Sequence, residues 1–143
     1  GPESYAPPMG ITGINHIATM TTDLERHAQF YGDVFGATVT FTMDAAPEHP
    51  RMWVLDLGGG TALNGFEVSE GDIVGDRRQQ GRRGAIDHFG IGVASLAQLE
   101  ELQERLIAAG ADIGEIQDLG GEWSLFFRDV DGMELEVCAP LEG

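Results

Sequence analysis

GINHIATMTTDLERHAQFYGDVFGATV at 13–39 and AIDHFGIGVASLAQLEELQERLIAAGADI at 85–113 are two copies of one plan. Each reads strand, short turn, helix, Gly-Ala, strand. His16 and His88 stand 72 residues apart, and so do the candidate helix N-caps Asp23 and Ser95. The pairs Gly36-Ala37 and Gly110-Ala111 stand 74 apart, the excess expected of a slightly longer second helix. After Asp23, Leu24, Phe30, Tyr31, Val34 and Phe35 recur at helical spacing. After Ser95, Leu96, Leu99, Leu102, Leu106 and Ile107 do so more regularly. Asp and Ser accept hydrogen bonds from a helix's free first-turn N–H groups, and glycine supplies the left-handed residue that ends one.

Three strand candidates follow each helix: 37–43, 51–57 and 61–68, then 111–117, 122–128 and 133–139. GGG at 58–60 and DVDG at 129–132 are the turns before the last strand of each set. The chain thus predicts an α+β fold of two tandem βαβββ modules, with curved mixed sheets around a shared cleft and helices outside. Residues 1–10 form a flexible lead-in, with Gly1-Pro2 read as a tag remnant, and 11–143 a single domain. Module 1 spans about 11–68, a linker 69–85, and module 2 about 86–140. The linker holds Arg77, Arg78, Arg82 and Arg83. It reads either as a solvated loop or as a lid over a site.

Composition narrows the partners. The net charge is −16, and all eight basic residues are arginine. Nucleic acids and anionic membranes need a basic surface, so neither is an expected partner. No apolar run approaches a membrane span. A single cysteine, Cys138, excludes an intrachain disulfide and fits a cytoplasmic protein.

The repeat also separates two glutamates that look alike. Glu134 and Glu136 alternate along one strand and share a face. The step of 48 residues from His88 reaches Glu136, and the same step from His16 reaches Asn64. If a pseudo-two-fold relates the modules, these four positions converge. His16, His88 and Glu136 are then a metal triad, two imidazoles and one carboxylate, suited to Fe, Mn, Zn, Ni or Co with open positions for substrate oxygens. Glu134 matches Ala62 in the repeat, so it reads as a neighbouring carboxylate and candidate acid/base. Asn64 is a candidate substrate contact. Trp53, Phe66, Trp123 and Phe126 are candidate pocket aromatics. His27 and His49 have no repeat partners and are expected at the surface. GGG precedes no lysine or helix, and DVDG lacks the spacing of a calcium loop, so neither carries a known motif.

These segments, with RDVDGMELE at 128–136, resemble the vicinal oxygen chelate superfamily, the glyoxalase, bleomycin-resistance and dioxygenase proteins. Their last segment commonly reads Arg-Asp-Pro-Asp-Gly-x-x-[Ile/Leu]-Glu; here Val130 replaces the proline. The resemblance implies metal ligands at His16, His88 and Glu136. It places Asn64 where glyoxalase I-like members carry a fourth, carboxylate ligand, so the remaining triad is closer to extradiol dioxygenases and fosfomycin-modifying enzymes. Ser124 falls where the latter place a hydroxyl, but Glu134 stands where they often carry a base, which disfavours an anionic phosphonate.

The implied function is a divalent-metal-dependent enzyme acting on a small oxygenated molecule chelated to the ion, by lyase, isomerase or dioxygenase chemistry. The alternative is a non-catalytic antibiotic- or metabolite-binding protein of the bleomycin-resistance type. A homodimer is implied by the same resemblance.

Overall fold

The computed structural model describes residues 9–141 apart from position 76, so positions 1–8 of the expected lead-in lie outside the described residues. The first module runs β1 (His16–Thr21), α1 (Leu24–Phe35), β2 (Thr38–Met43), β3 (Met52–Gly58) and β4 (Thr61–Glu67). The second runs β5 (Phe89–Gly92), α2 (Leu96–Ala108), β6 (Asp112–Ile113), β7 (Gln117–Leu119), β8 (Glu122–Arg128) and β9 (Glu134–Pro140). The strand expected at 111–117 is therefore two short pieces. Gly114 N still bonds to Phe126 O at 2.9 Å, but Ile116 packs against the core before β7 rejoins β8.

The helix ends form as the side chains dictate. Asp23 Oδ1 accepts from Arg26 N at 3.1 Å, and Gly36 closes α1 at φ 73°. Ser95 Oγ accepts from Gln98 N at 3.3 Å, while Gln98 Oε1 accepts from Ala94 N at 2.9 Å, two reciprocal bonds at one helix start. Each module makes one mixed sheet, ordered β1-β4-β3-β2 and β5-β9-β8-β6, with β7 also on β8. The first strand of each module is an edge strand and runs parallel to the last, β1 on β4 and β5 on β9.

Both helices press on their own sheets and on each other, so the two modules share one core. Tyr31, Val34, Leu55, Leu63, Leu99, Leu106, Leu125, Leu135 and Val137 are fully buried in it. Burying one such side chain is worth about 1.5–3 kcal/mol. His27 lies on the inner face of α1 and is fully buried, not at the surface as its lack of a repeat partner suggested. Its place between Leu24 and Tyr31 at helical spacing puts it there. His49 is half-buried.

A polar clasp joins the modules. Tyr31 Oη donates to the buried Asp129 Oδ2 at 2.7 Å, and Asp129 Oδ1 accepts from Asp131 N and Met133 N at 2.9 and 3.0 Å. Burial pushes the Asp129 carboxyl up, opposed by these three hydrogen bonds and by nearby His27. Arg26 Nη2 donates to Val130 O at 3.0 Å, and Asp131 Oδ1 accepts from Thr22 N at 3.1 Å. Thus the DVDG turn of module 2 seats the start of α1. Because the helix-covered faces meet at the centre, the opposite face of each sheet looks out from the core.

Candidate metal centre

Strand parity sorts the candidate residues. In module 1, Leu63 and Gly65 face α1; a Cβ on Gly65 would lie 3.1 Å from both His27 and Leu24. Asn64 and Phe66 therefore lie on the outward face. Their parallel partners Ala18 and Met20 share it, as does His16 opposite Ala62. In module 2, Leu135, Val137 and Ala139 are buried under α2. Glu134, Glu136 and Cys138 face outward with their β8 partners Arg128, Phe126 and Ser124. Trp123 pairs with Ala139 and Trp53 with Gly65, so both indoles pack against the core instead of joining the outward faces.

His88 precedes β5 and lies over β9. Its Nε2 is 3.5 Å from Glu136 Oε1, and its ring meets Phe126 edge-on at 5.1 Å. His88 Nδ1 lies 2.8 Å from Asp87 Oδ2. An ionised carboxylate only accepts, so Nδ1 carries the proton and, in a neutral ring, Nε2 keeps its lone pair. His16 Nδ1 is likewise 2.6 Å from Asn15 Oδ1. Asn15 and Asp87 are themselves 72 residues apart. The repeat thus extends to the residue before each histidine, a signal present in the sequence and absent from the expectations above.

The hydroxyl of buried Ser124 donates a hydrogen bond to Glu136 Oε2, leaving Oε1 toward His88. Burial, and then the charge of Glu136, push the Cys138 thiol up to about 12, so it stays protonated. Glu134 is tied down: Oε2 lies 3.0 Å from Arg128 Nε and 3.8 Å from Arg83 Nη2. Gln80, Arg83, Asp87, His88, Phe126 and Glu134 enclose a cavity of about 220 Å³. Gln80 and Arg83 bring the linker 69–85 over the histidine.

His88 and Glu136 fit a metal. Two N/O ligands about 2.0–2.2 Å from one ion lie at most about 4.3 Å apart, and the observed separation is 3.5 Å. His16 does not join them within the chain. Among the described residues, the one trio of His, Cys, Asp or Glu with ligand atoms within 4.8 Å of one another is Asp23, Glu25 and Glu67. That trio is already bridged by Arg51, 2.7 Å from Glu25 and 3.1 Å from Glu67, while Glu67 also accepts from Leu24 N at 3.0 Å. The Arg51 hydrogen bond holds the Glu25 carboxyl below its usual range.

The family model for the glyoxalase/bleomycin resistance protein/dioxygenase superfamily matches residues 13–137. The chain belongs to this superfamily. A glyoxylase/bleomycin resistance protein/dioxygenase domain from Frankia sp. EAN1pec has 26% identity and a TM-score of 0.77, covering 93% of this chain and 95% of that one. A variant of the fosfomycin resistance protein FosX from Listeria monocytogenes, in complex with Mn(II) and dihydroxypropylphosphonic acid, has 19% identity and a TM-score of 0.67 over 92% and 94% of the two chains. That likeness is one of fold. MhqA of Bacillus subtilis, which bears the name of a ring-cleaving dioxygenase, is 25% identical over 94% of this chain but only 42% of its own length. The chain thus spans less than half of that relative's length. No helix among the described residues is long and apolar enough to cross a membrane.

Proposed function

We propose that the protein is a divalent-metal-dependent enzyme acting on a small oxygenated organic molecule, with His88 and Glu136 of one chain and His16 of a second copy holding the ion. The observation that carries this reading is the facing pair of donors. His88 Nε2 and Glu136 Oε1 face each other 3.5 Å apart, too long for a good hydrogen bond and within the span of two ligands on one ion. When bound, a divalent ion supplies Lewis acidity toward the substrate's oxygens or, as Fe(II), oxygen chemistry.

The chain's own residues do the rest. Asp87 keeps the His88 proton on Nδ1, and Ser124 orients Glu136 through Oε2. Phe126 walls one side of the cavity. Glu134, held by two guanidinium groups, balances their charge and leaves proton transfer to other groups. Asn64 and Phe66 stand on the outward face that carries His16, where they meet substrate once two copies join their outward faces. Asn64 Oδ1 is buried and has no hydrogen-bond partner among the described residues, an unmet acceptor that a group from substrate or the second copy would satisfy. Trp123 is packed on the core side, away from that face. A site shared in this way requires a homodimer, formed across the outward faces that carry His16 and Glu136.

Elemental analysis after reconstitution tests the ion. Stoichiometric metal in the wild type and its loss in His16→Ala and Glu136→Ala, each still folded, are expected. Co-refolding those two variants tests the shared site, because each mixed dimer regains one intact site of two. No metal in the wild type refutes the reading. Metal in the wild type without recovery in the mixture refutes the second copy's role.

A further inference from the structure

We propose that Arg83, delivered by the loop between the modules, is a positioning residue that orients His88 through Asp87. Asp87 is fixed from three sides: Oδ2 accepts from His88 Nδ1 and Arg83 Nη1, both at 2.8 Å, and Oδ1 accepts from Gly81 N at 3.2 Å. Arg83 is fixed in turn. Its Nε donates to Arg77 O at 2.9 Å, its Nη2 lies 3.8 Å from Glu134, and its side chain is only 11% exposed. Arg77 Nη1 donates to Asp131 O at 3.0 Å. A continuous path therefore runs from the DVDG turn, through the linker, to the Nδ1 side of His88.

The consequence is chemical. An imidazole binds a cation through Nε2 only while its proton sits on Nδ1, and an anionic acceptor there fixes the tautomer and raises the ring's basicity. His16 has the neutral Asn15 in the same place. The two histidines are therefore not equivalent: His88 is the stronger donor, and it alone depends on the linker. Its consequence for metal affinity rests on the function proposed above, whereas the tautomer itself does not.

Nitrogen NMR of the His88 ring in metal-free protein, well above the histidine titration range, reads the tautomer directly. Wild type should carry the proton on Nδ1. Asp87→Ala should move it to Nε2. Asp87→Asn, whose amide oxygen still accepts, should leave it on Nδ1. Arg83→Ala should give a mixture, restored in part by Arg83→Lys. In calorimetric titrations with Mn(II), Asp87→Ala should weaken binding by roughly 10–100-fold, with Arg83→Ala between it and wild type. Thermal melts identify any variant that fails to fold, and Asp87→Asn and Arg83→Lys then decide the question. An Nε2–H ring in the wild type, or an Arg83→Ala protein matching wild type in both tautomer and affinity, overturns the proposal. If the wild type takes up no Mn(II), the metal reading falls while the tautomer spectrum still decides this one.

Discussion

Replacing His27 with leucine should stabilise the protein, and more so in acid. His27 is fully buried on α1, and neither ring nitrogen has a hydrogen-bond partner among the described residues. Its surroundings are Leu24, the Tyr31 ring at 4.9 Å and the close-packed Gly65. Burial holds its pKa below the usual histidine value, and the carboxylates of Asp129 and Asp131 only partly oppose this. The folded state therefore binds fewer protons than the unfolded state below about pH 6.5. The sign follows: the stability of the neutral buried ring is present above the unfolded pKa and is lost as pH falls through it. While the folded ring stays neutral, lowering pH from 7.5 to 5.5 costs about 1.4 kcal/mol for this one proton. His27→Leu keeps a similar volume, removes that proton, and removes two unpaired buried polar atoms, each costing about 1–3 kcal/mol. Urea unfolding of both proteins at the two pH values measures this. The variant should match or exceed wild type at pH 7.5, and the gap should widen at pH 5.5 by up to about 1.4 kcal/mol, at most roughly 0.7 M in midpoint for a slope near 2 kcal/mol/M. The other three histidines are present in both proteins and cancel in the difference. A gap that does not widen, or a leucine variant clearly weaker at pH 7.5, refutes the reasoning.

Two further substitutions probe the core. Tyr31→Phe removes the hydroxyl that donates to buried Asp129, and a hydrogen bond to a charged group is worth about 1.5–3 kcal/mol, so the urea midpoint should fall accordingly at neutral pH. The loss should shrink in acid as Asp129 protonates; an equal loss at all pH values would argue against a charged acceptor. Gly65→Ala places a Cβ 3.1 Å from His27 Cε1 and Leu24 Cδ2, an overpacking worth roughly 1–3 kcal/mol of lost stability by thermal melting. The effects of Gly65→Ala and His27→Leu should not add in the double variant, because the two sites touch.

Local chemistry was legible in the sequence wherever one element decides it. Asp23 and Ser95 cap their helices as read, and Glu134 and Glu136 share an outward face opposite Leu135 and Val137. Period and parity are properties of a single helix or strand. What depends on how elements meet was not legible. His27 looked unpartnered because the repeat offers no equivalent, yet α1 presses it against β4 beside Gly65. Trp123 looked like a pocket aromatic because bulk says nothing of which side the strand turns. The same packing keeps His16 from joining His88 and Glu136 within one chain, since each helix-covered face is used in the shared core. Spacing relates two modules by symmetry; it does not choose which copy's face lies opposite.

The repeat nevertheless argues for chemistry over simple binding. A protein that only enclosed an apolar ligand would need apolar faces and no particular imidazole tautomer. Here each module opens with a histidine whose Nδ1 meets an acceptor on the preceding residue, Asn15 or Asp87. One copy has then diverged. Module 2 backs its histidine with a carboxylate, adds Glu136 and its Ser124 hydroxyl, and recruits Arg83 from the linker. Module 1 keeps the neutral Asn15 and places Asn64 where module 2 has Glu136. Charge and donor strength are thus concentrated on one half of a symmetric frame. Under the proposed function, that arrangement would grip an ion from one side and leave the other side, with His16, Asn64 and Phe66, to complete the site and contact whatever the ion holds.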